Sequence, residues 1–184
     1  MVERIALETP RLRLRHWHDD DLESLAWLCA DPEVMRYYPA LMSRDDCAAL
    51  MVRSRLHFVR HGVGLWALER KDSDAFIGYC GLASCALPMP SPAVELLWAV
   101  TCDQWGQGLV HEAANAVLHC AFDTLGLDEV VACAAQLNEP ARQLLEGLGM
   151  RPEQATAFGH PDLVPEHPLH PQLLYRLQRD DWRQ

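Results

Sequence analysis

An apolar segment runs into a glycine turn and then into an alanine-rich segment, and this order constrains the fold more than any other feature. Residues 93–100, Ala-Val-Glu-Leu-Leu-Trp-Ala-Val, have the length and apolar content of a buried strand. Gly106 and Gly108 lie in the turn, and a helix is predicted to begin directly after Gly108. Glycines let backbone N–H groups approach a ligand closely, and the first N–H groups of a helix lack internal partners. The pattern therefore predicts a cradle for a phosphate group.

Composition limits the class of protein and its partners. With 184 residues, 49% of them hydrophobic, the chain can form one globular domain with a full core. The net charge of −10 argues against nucleic-acid binding. It suits a cationic partner such as an amine, although an acidic surface also serves solubility alone.

The cysteines and the lack of long apolar runs bear on localisation. The seven cysteines are scattered and form no C-x-x-C pair, a pattern typical of reduced thiols in the cytosol. No run approaches the roughly 18 apolar residues of a membrane span, and the N-terminus lacks the apolar stretch of a signal peptide. We therefore expect a cytoplasmic protein with no membrane partner.

Periodicity and turn residues predict the order of the elements. Strict alternation over residues 11–15 predicts a half-buried strand whose arginines face water. Residues 19–21 can cap a first helix, Asp31 and Pro32 a short second helix, and residues 43–46 a third that ends at Gly62. Strands are then predicted over 65–69, 76–83 and 94–100, with turns at 71–74 and 88–92. The helix after the glycine turn is predicted to end at Gly126 and to be followed by a strand over 130–135. A helix capped by Asn138 and ended by Gly149, a loop over 152–171 and a strand over 173–177 complete the predicted order. This order indicates a single mixed α/β or α+β domain.

Several of these segments together resemble the GNAT acyltransferase superfamily, and within it the Rim-type branch of ribosomal-protein N-terminal acetyltransferases. The similar segments are residues 9–15, 31–38, 95–98 with 105–108, 138–150 and 179–182. The resemblance implies a mixed, mostly antiparallel central sheet with splayed middle strands flanked by helices. It also implies one acyl-CoA N-acyltransferase domain over residues 1–184, with acetyl-CoA as donor substrate and an amine as acceptor. A homodimer is possible, and we expect no metal and no nucleic-acid partner.

Two departures from the family pattern concern the pyrophosphate loop and the last helix. The family motif runs Gln/Arg-x-x-Gly-x-Gly/Ala, and placing its fourth position on Gly108 puts Trp105 first and the bulkier Val110 last. Because main-chain N–H groups form the cradle, we expect the loop to keep its ligand. The branch commonly has a serine, proposed to protonate the leaving thiolate, where this chain has Ala141. That proton donor is missing.

The resemblance assigns cofactor-binding positions residue by residue. Ala99 and Val100 would offer backbone groups to the pantetheine arm, and Asn138 would both cap its helix and contact the cofactor. The complete predicted set is Ala99, Val100, Trp105, Gly106, Gln107, Gly108, Leu109, Val110 and Asn138.

The residues proposed to handle the acceptor each have two interpretations. Glu95, in an apolar strand, is either an outward-facing or salt-bridged carboxylate or a catalytic general base whose pKa is raised by burial. Tyr37 and Tyr38 either line the acceptor pocket or cover the edge of the core. Tyr175 either replaces the missing acid or packs in the core.

Two functions from different classes are consistent with these residues. The first is an N-acetyltransferase that transfers acetyl from acetyl-CoA to a protein N-terminus or a small cationic amine by direct attack. The second is an acyl-CoA-binding sensor or interaction module with little or no turnover. A nucleotide-dependent enzyme is disfavoured because the chain has no Walker lysine.

Overall fold

One mixed sheet organises the residues that the computed structural model describes, which are 6–85, 93–153 and 158–182. The predicted turn at 88–92 lies outside these ranges. The nine strands are β1 (Leu7–Glu8), β2 (Leu12–Arg15), β3 (Leu65–Arg70), β4 (Phe76–Ser84), β5 (Val94–Val100), β6 (Glu129–Ala135), β7 (Arg151–Pro152), β8 (Phe158–Gly159) and β9 (Pro171–Gln178). The α-helices are α1 (Asp21–Ala30), α2 (Arg44–His61), α3 (Leu109–His119), α4 (Glu139–Gly147) and α5 (Arg179–Trp182).

The sheet is antiparallel at every pairing except one. Its order is β1-β2-β3-β4-β5-β6-β9-β7, and β8 also pairs with β9. The exception is the parallel pairing of β5 with β6, which rests on a single register pair, Glu95 with Val131. Beyond that pair the two central strands diverge. The predicted sheet, mostly antiparallel with splayed middle strands, is confirmed.

The register of β5 decides which of its backbone groups face the opening. Thr101 donates its N–H to the carbonyl of Ile77 at 2.9 Å, and the β4–β5 register continues from there without a shift. In an antiparallel ladder, such hydrogen-bonded pairs alternate along the strand. Odd-numbered residues of β5 therefore bond to β4, whereas the backbone groups of Trp98 and Val100 face the diverging β6.

Side chains of β5 alternate between two cores, one on each face of the sheet. Leu96 and Val100 belong to the larger core, which includes the buried face of α3. Leu97 and Ala99 belong to the second core, which is formed with α1 and α2. Glu95 has the same parity as Leu97, so its side chain lies on the α1–α2 face of the sheet.

Local signals explain how the helices around the sheet begin and end. Ser43 and Asp46 form the predicted capping box at the start of α2, and Gly62 ends that helix with φ +76°. After α3 the chain makes one π-helical turn, Cys120–Thr124, before the left-handed Gly126. Among the described residues, no helix combines the length and apolar content needed to cross a bilayer.

Two predictions about local structure are wrong in part. Residues 32–37 form consecutive turns instead of the short helix. The N–H of Met35 bonds to the Asp31 carbonyl four residues back, but the following bonds, Arg36 to Glu33 and Tyr38 to Met35, span only three residues. The predicted loop over 152–171 contains β8 and the end of β7.

The arginines of β2 do not simply face water. Arg15 donates to Asp21 at 2.8 Å and to Glu69 at 2.6 Å, and only 18% of its side chain is exposed. Burial alone would raise the pKa of Asp21, but the hydrogen bonds from Arg15 and from the His18 N–H hold that pKa below its usual value. The ion pairs tie β2, β3 and α1 together.

Candidate active site

A cleft of about 600 Å³ opens where β5 and β6 diverge. Its walls come from both strands, from residues 33–39, from the starts of α3 and α4, and from residues 158–172. It brings together all but one of the predicted site residues, namely Tyr37, Tyr38, Glu95, Ala99, Val100, Trp105, Gly106, Gly108, Leu109, Val110 and Asn138. The divergence of two strands thus gathers residues that are far apart in sequence.

The turn needs glycine because of its backbone conformation and not because a side chain would be crowded. Gly106 and Gly108 both have φ +73°, a region that L-residues avoid. A Cβ added to Gly106 would meet no atom within 4 Å, and one added to Gly108 would meet only Arg11 Nη2 at 3.7 Å. Gly108 is the N-cap of α3, and its carbonyl accepts from Glu112 at 3.0 Å. The N–H groups at the start of α3 lie at the positive end of the helix dipole, as an anion site requires.

An arginine from the edge of the sheet holds this turn in place. Arg11 donates from Nη1 to the carbonyl of Gln107 at 2.8 Å and from Nε to Glu112 at 2.6 Å. Glu112 also accepts from the hydroxyl of Thr9 at 2.5 Å. Although burial opposes it, these hydrogen bonds lower the pKa of Glu112. Sequence reasoning missed this clamp, whose signals are an acidic residue in the first turn of α3 and an arginine directly before β2.

Gln107 is the one predicted site residue that does not line the cleft. Its Oε1 accepts from Arg70 at 3.1 Å, and its Nε2 donates to the carbonyl of Asp103 at 2.9 Å. The side chain therefore faces Arg70 and Asp103 and points away from the cleft.

The exposed edge of β5 presents polar groups to the cleft. The carbonyl of Trp98 accepts from the Tyr38 hydroxyl at 3.1 Å, and the carbonyl of Val100 accepts from Trp105 Nε1 at 3.2 Å. The N–H groups of Trp98 and Val100 point the same way. The prediction that Ala99 offers backbone groups does not fit this register, because those groups face β4. The sequence did not indicate the backbone groups of Trp98, because the pairing of β5 with β4 decides which residues of β5 direct these groups to the cleft.

Glu95 lies at the inner end of the cleft beside two thiols. The thiols of Cys133 and Cys85 lie beside its carboxylate, with one sulfur or oxygen atom of each residue within 4.8 Å of the other two. Burial raises the pKa of Glu95, and the interaction with these two thiols opposes that rise. In the described part of the chain no ion pair involves Glu95, so the salt-bridged interpretation finds no support there.

The tyrosines near the cleft have different positions. Tyr37 and Tyr38 both line it, and burial raises the pKa of Tyr38, whose phenol also interacts with Tyr79. Tyr175 donates to Glu146 at 3.1 Å and accepts from Arg142 at 3.3 Å. Because Tyr175 is fully buried against α4, its packing role is the one that the structure supports.

The start of α4 forms the wall opposite β5. Asn138 accepts from the N–H of Ala141 at 3.1 Å, which confirms the predicted cap. Ala141 is one of the residues that line the cleft. A serine there would place a hydroxyl in the cleft, and alanine supplies no donor.

Comparison with known proteins identifies the fold and its chemistry. Residues 11–151 match the family model described as an acetyltransferase (GNAT) domain. The chain belongs to the GNAT acetyltransferase family. The predicted family and the prediction of an acetyltransferase enzyme are thereby confirmed.

Individual acetyltransferases are similar to this chain in sequence or in fold. The chain is 27% identical to the FsC-acetyl coenzyme A-N(2)-transacetylase of Aspergillus fumigatus, over 96% of this chain and 77% of that protein. The spermidine N-acetyltransferase of Vibrio cholerae, solved with CoA and spermine, superposes with a TM-score of 0.74 at 17% identity and covers 96% of this chain and 100% of its own. The ribosomal-protein-S5-alanine acetyltransferase of Vibrio fischeri superposes with a TM-score of 0.69 at 16% identity and covers 97% and 98%. At these identities the two structures show the shared GNAT fold.

Proposed function

We propose that this GNAT protein transfers the acetyl group of acetyl-CoA directly to the amino group of a cationic acceptor. The observation that carries the proposal is the course of the cleft, which connects the start of α3 with Glu95 through the divergence of β5 and β6. The proposed anion site thus lies at one end and the carboxylate of Glu95 at the other. Direct transfer needs both reactants held in one passage.

The donor end is supported by the chemistry of its backbone. The N–H groups at the start of α3 would hold the pyrophosphate, with the turn fixed by Arg11. The N–H groups of Trp98 and Val100 would pair with the pantetheine arm. One of these N–H groups would also stabilise the oxyanion that forms when the thioester carbonyl is attacked.

The acceptor end is supported by its charge. Glu33, Glu95 and Asp162 line the cleft, and Arg36, the one arginine among the described lining residues, is paired with Glu33. An ammonium group is attracted to such an environment. Glu95 would take one proton of the ammonium, so that the neutral nitrogen forms the new C–N bond as the C–S bond breaks. The nitrogen would lose its second proton to water as the amide forms.

The leaving thiolate has no side-chain acid at position 141. Because an unperturbed thiol has a pKa of about 8.5, its thiolate is a tolerable leaving group at neutral pH and can take its proton from water. The acceptor is proposed to be a small cationic amine or a protein N-terminus.

The test is CoA release measured with a panel of polyamines, aminoglycosides and peptides with free N-termini. We expect turnover with at least one cationic amine, and we expect Glu95→Gln to lower kcat while the Kd for CoA stays within about twofold. The matched control is Glu23→Gln, which changes an exposed glutamate paired with Arg44 on the surface. Equal kcat values for wild type and Glu95→Gln would remove Glu95 from the mechanism.

A second function, that of an acyl-CoA sensor without turnover, is favoured by one observation. The cleft presents the methyl group of Ala141 where the family resemblance places a proton donor. Calorimetric binding of acetyl-CoA, together with no thiol release for any amine or peptide of the panel, would support the sensor over the enzyme.

A further inference from the structure

Three neighbouring segments bring two thiols and one carboxylate together at the inner end of the cleft. Cys85 directly follows β4, Glu95 lies on β5, and Cys133 lies on β6. Their register places them on adjacent strands, because Glu95 pairs with Ala83 on one side and with Val131 on the other. One ligand atom from each residue lies within 4.8 Å of the other two.

This donor set has the composition of a metal site. Thiolate sulfur favours soft and borderline cations, and a carboxylate oxygen completes many zinc sites. A tetrahedral zinc ion with Zn–S bonds of about 2.3 Å requires sulfur atoms about 3.8 Å apart. Because the sulfur atoms lie within 4.8 Å of each other, side-chain rotations that shorten their separation by at most about 1 Å would reach this spacing, without a change of strand register.

We propose that Cys85, Glu95 and Cys133 form a binding site for a thiophilic divalent cation, and that zinc is the ion bound there in the cell. Three protein ligands leave the fourth position open toward the cleft, where Glu95 and Cys133 are part of the lining. The site is additional to acetyl transfer, and binding does not depend on that function. Inhibition by the metal does rest on the proposed function, because a coordinated Glu95 could not accept the ammonium proton.

The coordination step balances with protons alone. Two S–H bonds break as two metal–sulfur bonds form, and two protons pass to the buffer. No oxidant or reductant takes part. The bound centre carries the +2 charge of the ion against two thiolates and one carboxylate, which leaves a net charge of −1.

Cysteines outside the cluster provide a control for testing the site. Cys29 and Cys47 form another thiol pair, but both are fully buried in the α1–α2 core with exposures of 1% and 0%. Cys102 is partly exposed and its sulfur interacts with Asp31 at 3.6 Å, away from the cluster. Cys102→Ser therefore matches the thiol count of the test variants without altering the cluster.

The experiment uses the full chain, reduced with a phosphine, stripped of metal, and titrated with Cd²⁺ as a spectroscopic probe. We expect a thiolate-to-cadmium charge-transfer band that saturates at one ion per chain in wild type and in Cys102→Ser. Cys133→Ser and Cys85→Ser should weaken Cd²⁺ binding by at least roughly tenfold, as should the isosteric Glu95→Gln. Zn²⁺ should compete with Cd²⁺, whereas Mg²⁺ should not, because it prefers oxygen ligands.

Either of two results would overturn the site: no band in reduced wild type, or an undiminished band in folded Cys133→Ser. Circular dichroism checks the fold of each variant, and Glu95→Gln, which preserves side-chain volume, tests the same coordination if a serine variant unfolds. Acetyl transfer is measured separately. Cadmium binding without turnover would leave the site standing and remove the proposed enzyme, and turnover without cadmium binding would do the reverse.

Discussion

The left-handed backbone at Gly108 allows a quantitative test of the proposed pyrophosphate site. In Gly108→Ala the added Cβ contacts only Arg11 Nη2, at an ordinary 3.7 Å, so the cost comes from the φ of +73°. A left-handed conformation costs an L-residue about 1–2 kcal/mol. The CoA-bound form must keep this conformation, whereas the unliganded turn can relax away from it. The Kd for CoA should therefore rise, up to a ceiling of about 5- to 30-fold.

The assay combines calorimetric Kd values for CoA with urea unfolding of each variant, with and without CoA. Gly126→Ala is the matched control, since Gly126 has φ +67° and its added Cβ would meet only Arg179 Nη2, at 3.5 Å. It should lose about 1–2 kcal/mol of unfolding free energy in both states and keep the wild-type Kd.

Gly108→Asn separates a conformational cost from a steric block. Asparagine enters the left-handed region several times more readily than most residues, although its side chain is larger than that of alanine. If backbone conformation governs binding, affinity for CoA should rank glycine first, asparagine second and alanine last. An asparagine variant that binds more weakly than the alanine variant would refute the reasoning, as would an alanine variant with the wild-type Kd.

Three further predictions address the cleft and the fold. Ala141→Ser should raise kcat with an amine substrate without changing the Kd for CoA, because it supplies the missing proton donor. Steady-state CoA release measures kcat and calorimetry measures the Kd, and an unchanged kcat would show that no acid is needed at this position. Gln107→Ala should alter the Kd for CoA by no more than about twofold in calorimetry, because its side chain faces Arg70 and not the cleft. Asp21→Asn should lower the unfolding free energy at pH 7 by about 1.5–3 kcal/mol in urea titrations. Since the folded-state pKa of Asp21 is lowered, its contribution is present above the ordinary value of about 3.9 and is lost as pH falls through the folded-state pKa, so the two unfolding curves should converge in acid.

Local signals predicted most of the fold. The capping box of α2, the glycine turn before α3 and the Asn138 cap of α4 each rest on contacts within a few residues, and all three are present. The helix predicted after Asp31 does not form because only its first hydrogen bond, from Met35 to Asp31, spans four residues, and the bonds that follow span three. That outcome depends on packing, which a local pattern does not record.

The part of the site formed by the glycine turn could be predicted from a local motif. The part formed by residues on neighbouring strands could not. The backbone groups of Trp98 face the cleft and those of Ala99 face β4, and this alternation is set by the pairing of β5 with β4. Likewise, the proximity of Cys85, Glu95 and Cys133 depends on three strands lying side by side. Sequence separations of 10 and 38 residues hide such neighbours, since nothing in the local pattern specifies the register.

The single register pair between β5 and β6 has a consequence for how the protein avoids association with other chains. Beyond Glu95 and Val131 the sheet has two internal edges, and open edges ordinarily recruit foreign strands. Here the Tyr38 hydroxyl and the Trp105 indole occupy the carbonyl groups of Trp98 and Val100. Two of the acceptors that a foreign strand would need on the β5 edge are thus already bonded by side chains of the same chain, which makes this edge a poorer template for β-sheet aggregation.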